Sequence, residues 1–154
     1  MTTMNQRITR LRPPRVAICL LGVAGLIYGF FPAVRASFWI CLWCGLSVFV
    51  PGAAVMVWAW AEFEKKDNPI LPTDTPVVLI CSGPFRFSRN PMYLGMLLML
   101  LSPAIGLGAP LFLFPPVVFF VVINFVFIPY EEKILGDSFN GAFANYTCSV
   151  RRWV

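Results

Sequence analysis

Residues 90–130 read NPMYLGMLLMLLSPAIGLGAPLFLFPPVVFFVVINFVFIPY and contain no Asp, Glu, Lys or Arg over 41 positions. An α-helix needs about 20 apolar residues to cross a bilayer core about 30 Å thick, because each residue advances it by about 1.5 Å. The stretch is therefore long enough for two crossings. The segment Gly106 to Pro110 reads GLGAP and interrupts the stretch with residues that end helices. We predict a hairpin of membrane helices near 92–107 and 110–130.

Two further uncharged stretches, 16–34 and 36–61, are each long enough for one crossing. They predict membrane helices near 16–34 and 37–61. The chain is 58% hydrophobic and 12% charged, whereas soluble domains average about 45–50% and about 25%. We therefore predict an all-α integral membrane protein with four transmembrane helices in one domain, 1–154. This composition excludes a soluble enzyme, a nucleic-acid-binding protein and a small secreted domain held by disulfides.

The basic residues predict the orientation of the four crossings. The chain has 12 Lys plus Arg against 7 Asp plus Glu, a formal charge of +5, and only Arg35 falls on the side opposite the other eleven basic residues. Positive charge favours the cytoplasmic side, so both termini, the central loop 62–89 and the tail 131–154 are predicted to be cytoplasmic. The segment 34–36 also loosely resembles a signal-peptide cleavage site. The preceding apolar run exceeds the usual signal core of about 7–15 residues, which favours a retained helix.

Polar residues concentrate first at the start of the third crossing, where residues 83–95 read GPFRFSRNPMYLG. Asn90 followed by Pro91 is typical of a helix N-cap and first turn, so we expect the helix to begin there. A helix N-terminus presents free N–H groups and about half a positive charge. With Arg86 and Arg89 beside it, the segment predicts an anion site at the membrane surface. The alternative is that Asn90 only caps the helix and the arginines only anchor it.

A second polar concentration, Glu131 and Glu132, follows the fourth crossing directly. The start of one helix of a hairpin and the end of the other lie at the same face. Arg89, Asn90 and Tyr93 are therefore expected to approach these two carboxylates. A pocket with hydrogen-bond donors on one wall and carboxylates on another suits a zwitterionic ligand. The alternative interpretation is that the two glutamates only form a solvated polar end of the helix.

Apolar residues recur at three-to-four spacing after the carboxylates, which predicts an amphipathic cytoplasmic helix over 131–147. Gly136 and Gly141 weaken that pattern. Asn124 is the one strongly polar residue inside the fourth crossing and is expected to form a hydrogen bond between helices or to line a cavity. The chain has no histidine, which excludes a His-based catalytic triad or metal site.

Together these motifs resemble a known family, the membrane-embedded methyltransferases that include isoprenylcysteine carboxyl methyltransferases and phospholipid N-methyltransferases. The resemblance covers about residues 72–154 and rests on the 83–95 segment, the hydrophobic hairpin, the glutamate pair and the tail sequence VRRW at 150–153. It implies S-adenosylmethionine as the methyl donor and a lipophilic or small acceptor, with the lipid bilayer around the protein. The implied cofactor-binding residues are Arg89, Asn90, Tyr93, Gly95, Glu131 and Glu132.

The resemblance also implies a role for each of these residues. Arg89 and the helix start would face the donor's carboxylate, and one glutamate would meet its ammonium group or ribose hydroxyls. Gly95 would allow the cofactor or a neighbouring helix to approach closely. Asn90 stands where members of the family often carry His, so it keeps hydrogen bonding but has no role in proton transfer. No catalytic residue is assigned.

Prolines inside the predicted crossings suggest how an acceptor would enter. Pro51, followed by Gly52, and Pro103 are candidate helix kinks that would open a gap between helices toward the bilayer. The alternative to an enzyme is a non-enzymatic membrane carrier or partner subunit that keeps the same fold.

Overall fold

The computed structural model describes residues 13–30, 38–66 and 78–154. Within these ranges the regular structure is helical throughout, without a β-strand, in agreement with the predicted all-α class. The N-terminal residues 1–12, the connection 31–37 with Arg35, and residues 67–77 of the predicted central loop lie outside the described residues.

Five α-helices account for most of the described chain, and three shorter helical turns connect or extend them. The short elements are two 3₁₀ turns, Gly83–Arg86 and Pro110–Leu113, and a π turn, Ile123–Phe127. The α-helices are α1 (Pro13–Phe30), α2 (Phe38–Lys65), α3 (Pro91–Gly106), α4 (Phe114–Val122) and α5 (Ile128–Ser149).

Among the described residues, two helical stretches are long and apolar enough to cross a membrane, Trp39–Lys65 and Pro110–Ser149. The helices α1 and α3 are apolar but have 18 and 16 residues, which gives lengths of about 27 Å and about 24 Å. Both are shorter than a bilayer core of about 30 Å. Length and composition thus support two of the four predicted crossings, and the other two stay predictions.

The hairpin turn lies where the glycines and proline predict it. Helix α3 ends at Gly106, and Gly108 adopts a positive φ of 58°, a conformation that favours glycine because it has no Cβ. The Ala109 N–H then donates to the carbonyl of Ala104 at 3.2 Å, which closes the last turn. Pro110 starts the next helical element.

The helix after the hairpin turn continues past residue 130, so the predicted fourth crossing and the predicted amphipathic helix over 131–147 form one helical stretch that reaches Ser149. Pro129 disfavours a continuous helix, since it lacks an N–H and its ring clashes with the preceding turn. The π turn lies directly before it, and there the Ile128 N–H donates to the carbonyl of Ile123, five residues back. This wider turn lets the helix pass Pro129. The regular helix is broken later, at Asn140, which has φ 42° and ψ −118°.

Helices α1, α3 and α4 share one hydrophobic core with the start of α5. Its fully buried side chains include large residues from α3, α4 and the π turn, and Trp153 of the tail packs against it. The buried members are Ala17, Tyr93, Met96, Leu100, Phe119, Ile123, Phe127 and Ile128.

Helices α2 and α3 pack through glycines on both helices. A Cβ atom on Gly95 would lie 2.6 Å from the carbonyl oxygen of Gly52, and one on Gly45 would lie 2.8 Å from the Cα of Gly106. Small residues allow backbones to approach in this way in membrane helices. Gly52 therefore lies at a close contact between α2 and α3, and the gap expected from kinks at Pro51 and Pro103 stays a prediction.

Candidate functional site

The segment before α3 is anchored to α2 by a buried carboxylate. The Ser82 hydroxyl donates to Glu62 Oε2 at 2.6 Å, and Lys65 Nζ lies 3.1 Å from Glu62 Oε1. Gly83 has a φ of 59°, and a Cβ atom there would lie 2.9 Å from Glu62 Cγ. A glycine is thus needed for both the turn and the close contact with Glu62.

Phe85 connects the same segment to both α2 and α5. Its side chain is buried and packs edge-on against Phe63 of α2, with ring centroids 5.6 Å apart. The carbonyl of Phe85 accepts a hydrogen bond from the Tyr146 hydroxyl at 2.7 Å. These contacts fix the approach to α3 between α2 and the C-terminal part of α5.

The C-terminal tail lies alongside the residues that lead into α3. The Arg89 N–H donates to the carbonyl of Arg151 at 3.0 Å, and Asn90 Nδ2 donates to the carbonyl of Arg152 at 2.9 Å. The Ser88 hydroxyl lies 3.4 Å from the same Arg152 carbonyl. Helix α3 begins at Pro91 as predicted, but the Asn90 side chain makes no capping hydrogen bond. Its amide holds the tail instead.

The two polar concentrations meet at this end of the hairpin. The Tyr93 hydroxyl donates to Glu131 Oε1, and Arg89 Nη1 forms a salt bridge with Glu132 Oε1 at 3.0 Å. Tyr93 is itself buried, with 8% of its surface exposed. The predicted approach of the α3 start to both carboxylates is thus present in the structure.

The two neighbouring glutamates have different partners. Glu132 is bound by Arg89 and also by Arg152, whose Nη2 lies 2.6 Å from Glu132 Oε2 and whose Nε lies 3.3 Å from Oε1. Glu131 receives the Tyr93 hydroxyl and has no salt bridge within the described parts of the chain. Glu132 therefore ties the start of α3, α5 and the tail together, whereas Glu131 has no cationic partner among the described residues.

Arg89 has an unused donor in this cluster. A guanidinium group carries five N–H donors, and Arg89 Nε is buried without an acceptor among the described residues. Leaving a buried donor unpaired costs about 1–3 kcal/mol, so its presence points to an acceptor that the described residues do not supply. An unneutralised carboxylate and an unpaired guanidinium N–H together fit a ligand that carries both a cationic and an anionic group.

Five of the six predicted site residues belong to this cluster: Arg89, Asn90, Tyr93, Glu131 and Glu132. The sixth, Gly95, lies instead against Gly52 and Met56 of α2. Close approach of a neighbouring helix is one of the two roles that the resemblance implied for Gly95. Contact of the cluster residues with a cofactor stays a prediction.

Two contributions of the tail were not predicted from the sequence. Arg152 supplies a carbonyl to Asn90 and a guanidinium to Glu132, whereas the sequence predicts no contact of residues 150–153 with the site. Trp153 donates from Nε1 to Asn124 Oδ1 at 3.0 Å. Asn124 is therefore hydrogen-bonded, but its partner lies in the tail and not in another helix as expected.

Arg152→Gln is expected to lower the free energy of unfolding by about 1–2 kcal/mol, because it removes a half-exposed ion pair while Glu132 keeps Arg89. Chemical denaturation of the full chain in mixed micelles measures the change. Arg151→Gln is the matched control, since Arg151 is exposed and contributes its backbone carbonyl. Equal stability of the two variants would contradict the role given to the Arg152 side chain.

Comparison with known proteins identifies one family. Residues 40–141 match the family model described as phospholipid methyltransferase. None of the curated proteins compared matches the chain, and none of the solved structures matches it either. The matched range includes α3, the hairpin and both glutamates of the cluster, and it covers well over half of the sequence. The chain therefore belongs to the phospholipid methyltransferase family of membrane methyltransferases.

Proposed function

We propose that this protein transfers a methyl group from S-adenosylmethionine to a lipophilic or small acceptor at the membrane. The observation that carries the proposal is the pairing of an unneutralised Glu131 with an unpaired Arg89 Nε in one cluster. The methionine part of this donor carries an ammonium group, a carboxylate and a sulfonium. Both signs of charge in the ligand thus have a counterpart among the site residues.

In this proposal Glu131 binds a cationic group of the donor. The Tyr93 hydroxyl holds the Glu131 side chain in place for this contact. Arg89 is already fixed through Nη1 by Glu132, so its free Nε is oriented to donate to the donor's carboxylate. When bound, S-adenosylmethionine would supply a methyl group attached to a positively charged sulfur. The acceptor's electron pair would form a bond to the methyl carbon while the carbon–sulfur bond breaks, and the sulfur would leave as a neutral thioether.

The protein's share of the catalysis is then alignment and exclusion of water, which together can contribute several kcal/mol. The tail and the 82–90 segment close one side of the cluster through the contacts to Arg151 and Arg152. A carboxylate or thiolate acceptor needs no protein base, so the absence of histidine from the sequence is compatible with this chemistry. The long apolar helices favour an acceptor that reaches the site from the bilayer.

The proposal is tested with the full chain in lipid nanodiscs. Calorimetry should show binding of S-adenosylmethionine, and methyl-labelled donor added with a total membrane lipid extract should place label in the lipid fraction. Failure to bind the donor would refute the proposal. Binding without transfer to any fraction would support the non-enzymatic carrier instead.

A further inference from the structure

The tail makes a polar contact inside the apolar part of the bundle. The Trp153 indole N–H donates to Asn124 Oδ1 at 3.0 Å, and the Trp153 ring lies on Phe120 with centroids 5.1 Å apart. Asn124 belongs to the π turn between α4 and α5, and both it and Trp153 are half-buried. The end of the chain is thereby attached to the helix that leads directly to Glu131.

A polar side chain in an apolar helix is costly unless it is hydrogen-bonded. Asn124 meets that requirement through Trp153. The residues just before Trp153 are the ones that contact the site, because the carbonyls of Arg151 and Arg152 accept from Arg89 and Asn90. The attachment of Trp153 therefore fixes the register in which the tail meets the start of α3.

We propose that Asn124 and Trp153 form a latch that holds the tail, residues 150–154, against the donor site. Both are positioning residues, since they act on the donor through Arg152, Glu132 and Arg89 rather than by touching it. This inference rests on the proposed function, because the site that the tail closes is the proposed donor site. Opening the latch frees Arg152 from Glu132 and removes one wall of the cluster.

The latch has a readout that does not depend on any ligand. Trypsin cleaves after Arg151 and Arg152, and a latched tail protects both bonds in the full chain in nanodiscs. Asn124→Leu and Trp153→Phe should each be trimmed about three to ten times faster than the wild type, as measured by intact mass. The double variant should be trimmed no faster than the faster single variant, because both changes remove the same hydrogen bond.

The matched control is Ser102→Ala, which also removes a polar group from an apolar helix. Ser102 is buried in α3 and donates to the Met99 carbonyl of its own helix, away from the tail. It should be trimmed at the wild-type rate. Unchanged trimming of both latch variants would overturn the latch.

The same variants test the positioning role. The dissociation constant for S-adenosylmethionine should rise about three- to tenfold in Asn124→Leu and Trp153→Phe and stay unchanged in Ser102→Ala. At saturating donor, the transfer rate should return to within about twofold of the wild type, because the reacting atoms are untouched. Faster trimming with unchanged donor affinity would overturn the positioning role. If the wild type binds no donor, the proposed function falls, while the trimming comparison still decides the latch.

Discussion

Glu131→Gln is expected to lower the affinity for S-adenosylmethionine about 100-fold, or ~3 kcal/mol, because hydrogen bonds and ion pairs to a charged group are worth about this much. The substitution removes the negative charge but keeps the size of the side chain and an oxygen that accepts the Tyr93 hydroxyl. The contact between α3 and α5 should therefore survive. Calorimetry on the folded variant in nanodiscs measures the loss.

Asp137→Asn is the matched control for this change. Asp137 also lies on α5 and is exposed, so the same carboxylate-to-amide exchange occurs away from the cluster. Its donor affinity should equal that of the wild type. Wild-type affinity in a folded Glu131→Gln variant would contradict the assignment of Glu131 to the donor's cationic group.

The meeting of the two polar segments could be predicted because it depends on a simple feature of the chain. The interruption Gly106 to Pro110 divides the uncharged stretch, and a hairpin returns its end to the level of its start. The contacts of Tyr93 with Glu131 and of Arg89 with Glu132 follow from that geometry. The absence of charge and the turn residues were sufficient information for this part of the site.

The place of the tail could not be predicted in the same way. Its contacts with Arg89 and Asn90 are made by the backbone carbonyls of Arg151 and Arg152, and every residue supplies such a carbonyl. Sequence patterns carry no signal for a bond of this kind. The arginine side chains were visible, but two adjacent basic residues at the end of a membrane protein are equally typical of an interfacial anchor.

The continuous helix past Pro129 could not be predicted for a related reason. Proline disfavours a helix interior, and the π turn that accommodates Pro129 depends on one extra residue in the turn rather than on a residue type. The break at Asn140 lies beside Gly141, which the sequence marked as a weak point of the helix. The sequence thus indicated a weak point in the helix near Gly141, but it did not indicate the backbone conformation of Asn140 or the π turn before Pro129.

Gly95→Ala is expected to destabilise the protein by about 2–3 kcal/mol, because overpacking at a tight contact costs about 1–3 kcal/mol or more. The added Cβ would lie 2.6 Å from the Gly52 carbonyl oxygen and 2.9 Å from the Met56 backbone nitrogen. Neither atom can rotate away, so α2 and α3 must separate. Thermal or chemical unfolding in mixed micelles measures the effect. Gly22→Ala in α1 is the control, since a Cβ there meets no heavy atom within 4 Å.

The same position decides between the two roles implied for Gly95, and Gly52→Ala supplies the comparison. Its added Cβ would lie 2.9 Å from the Gly95 carbonyl oxygen, so it separates the same helices from the opposite side. If Gly95 serves helix packing alone, the two variants should lose stability and donor affinity in the same proportion. A loss of donor affinity in Gly95→Ala well beyond that of an equally destabilised Gly52→Ala would show that the cofactor itself approaches Gly95. In that event the site would extend about half a turn further along α3 than Tyr93, the last α3 residue of the Glu131 cluster.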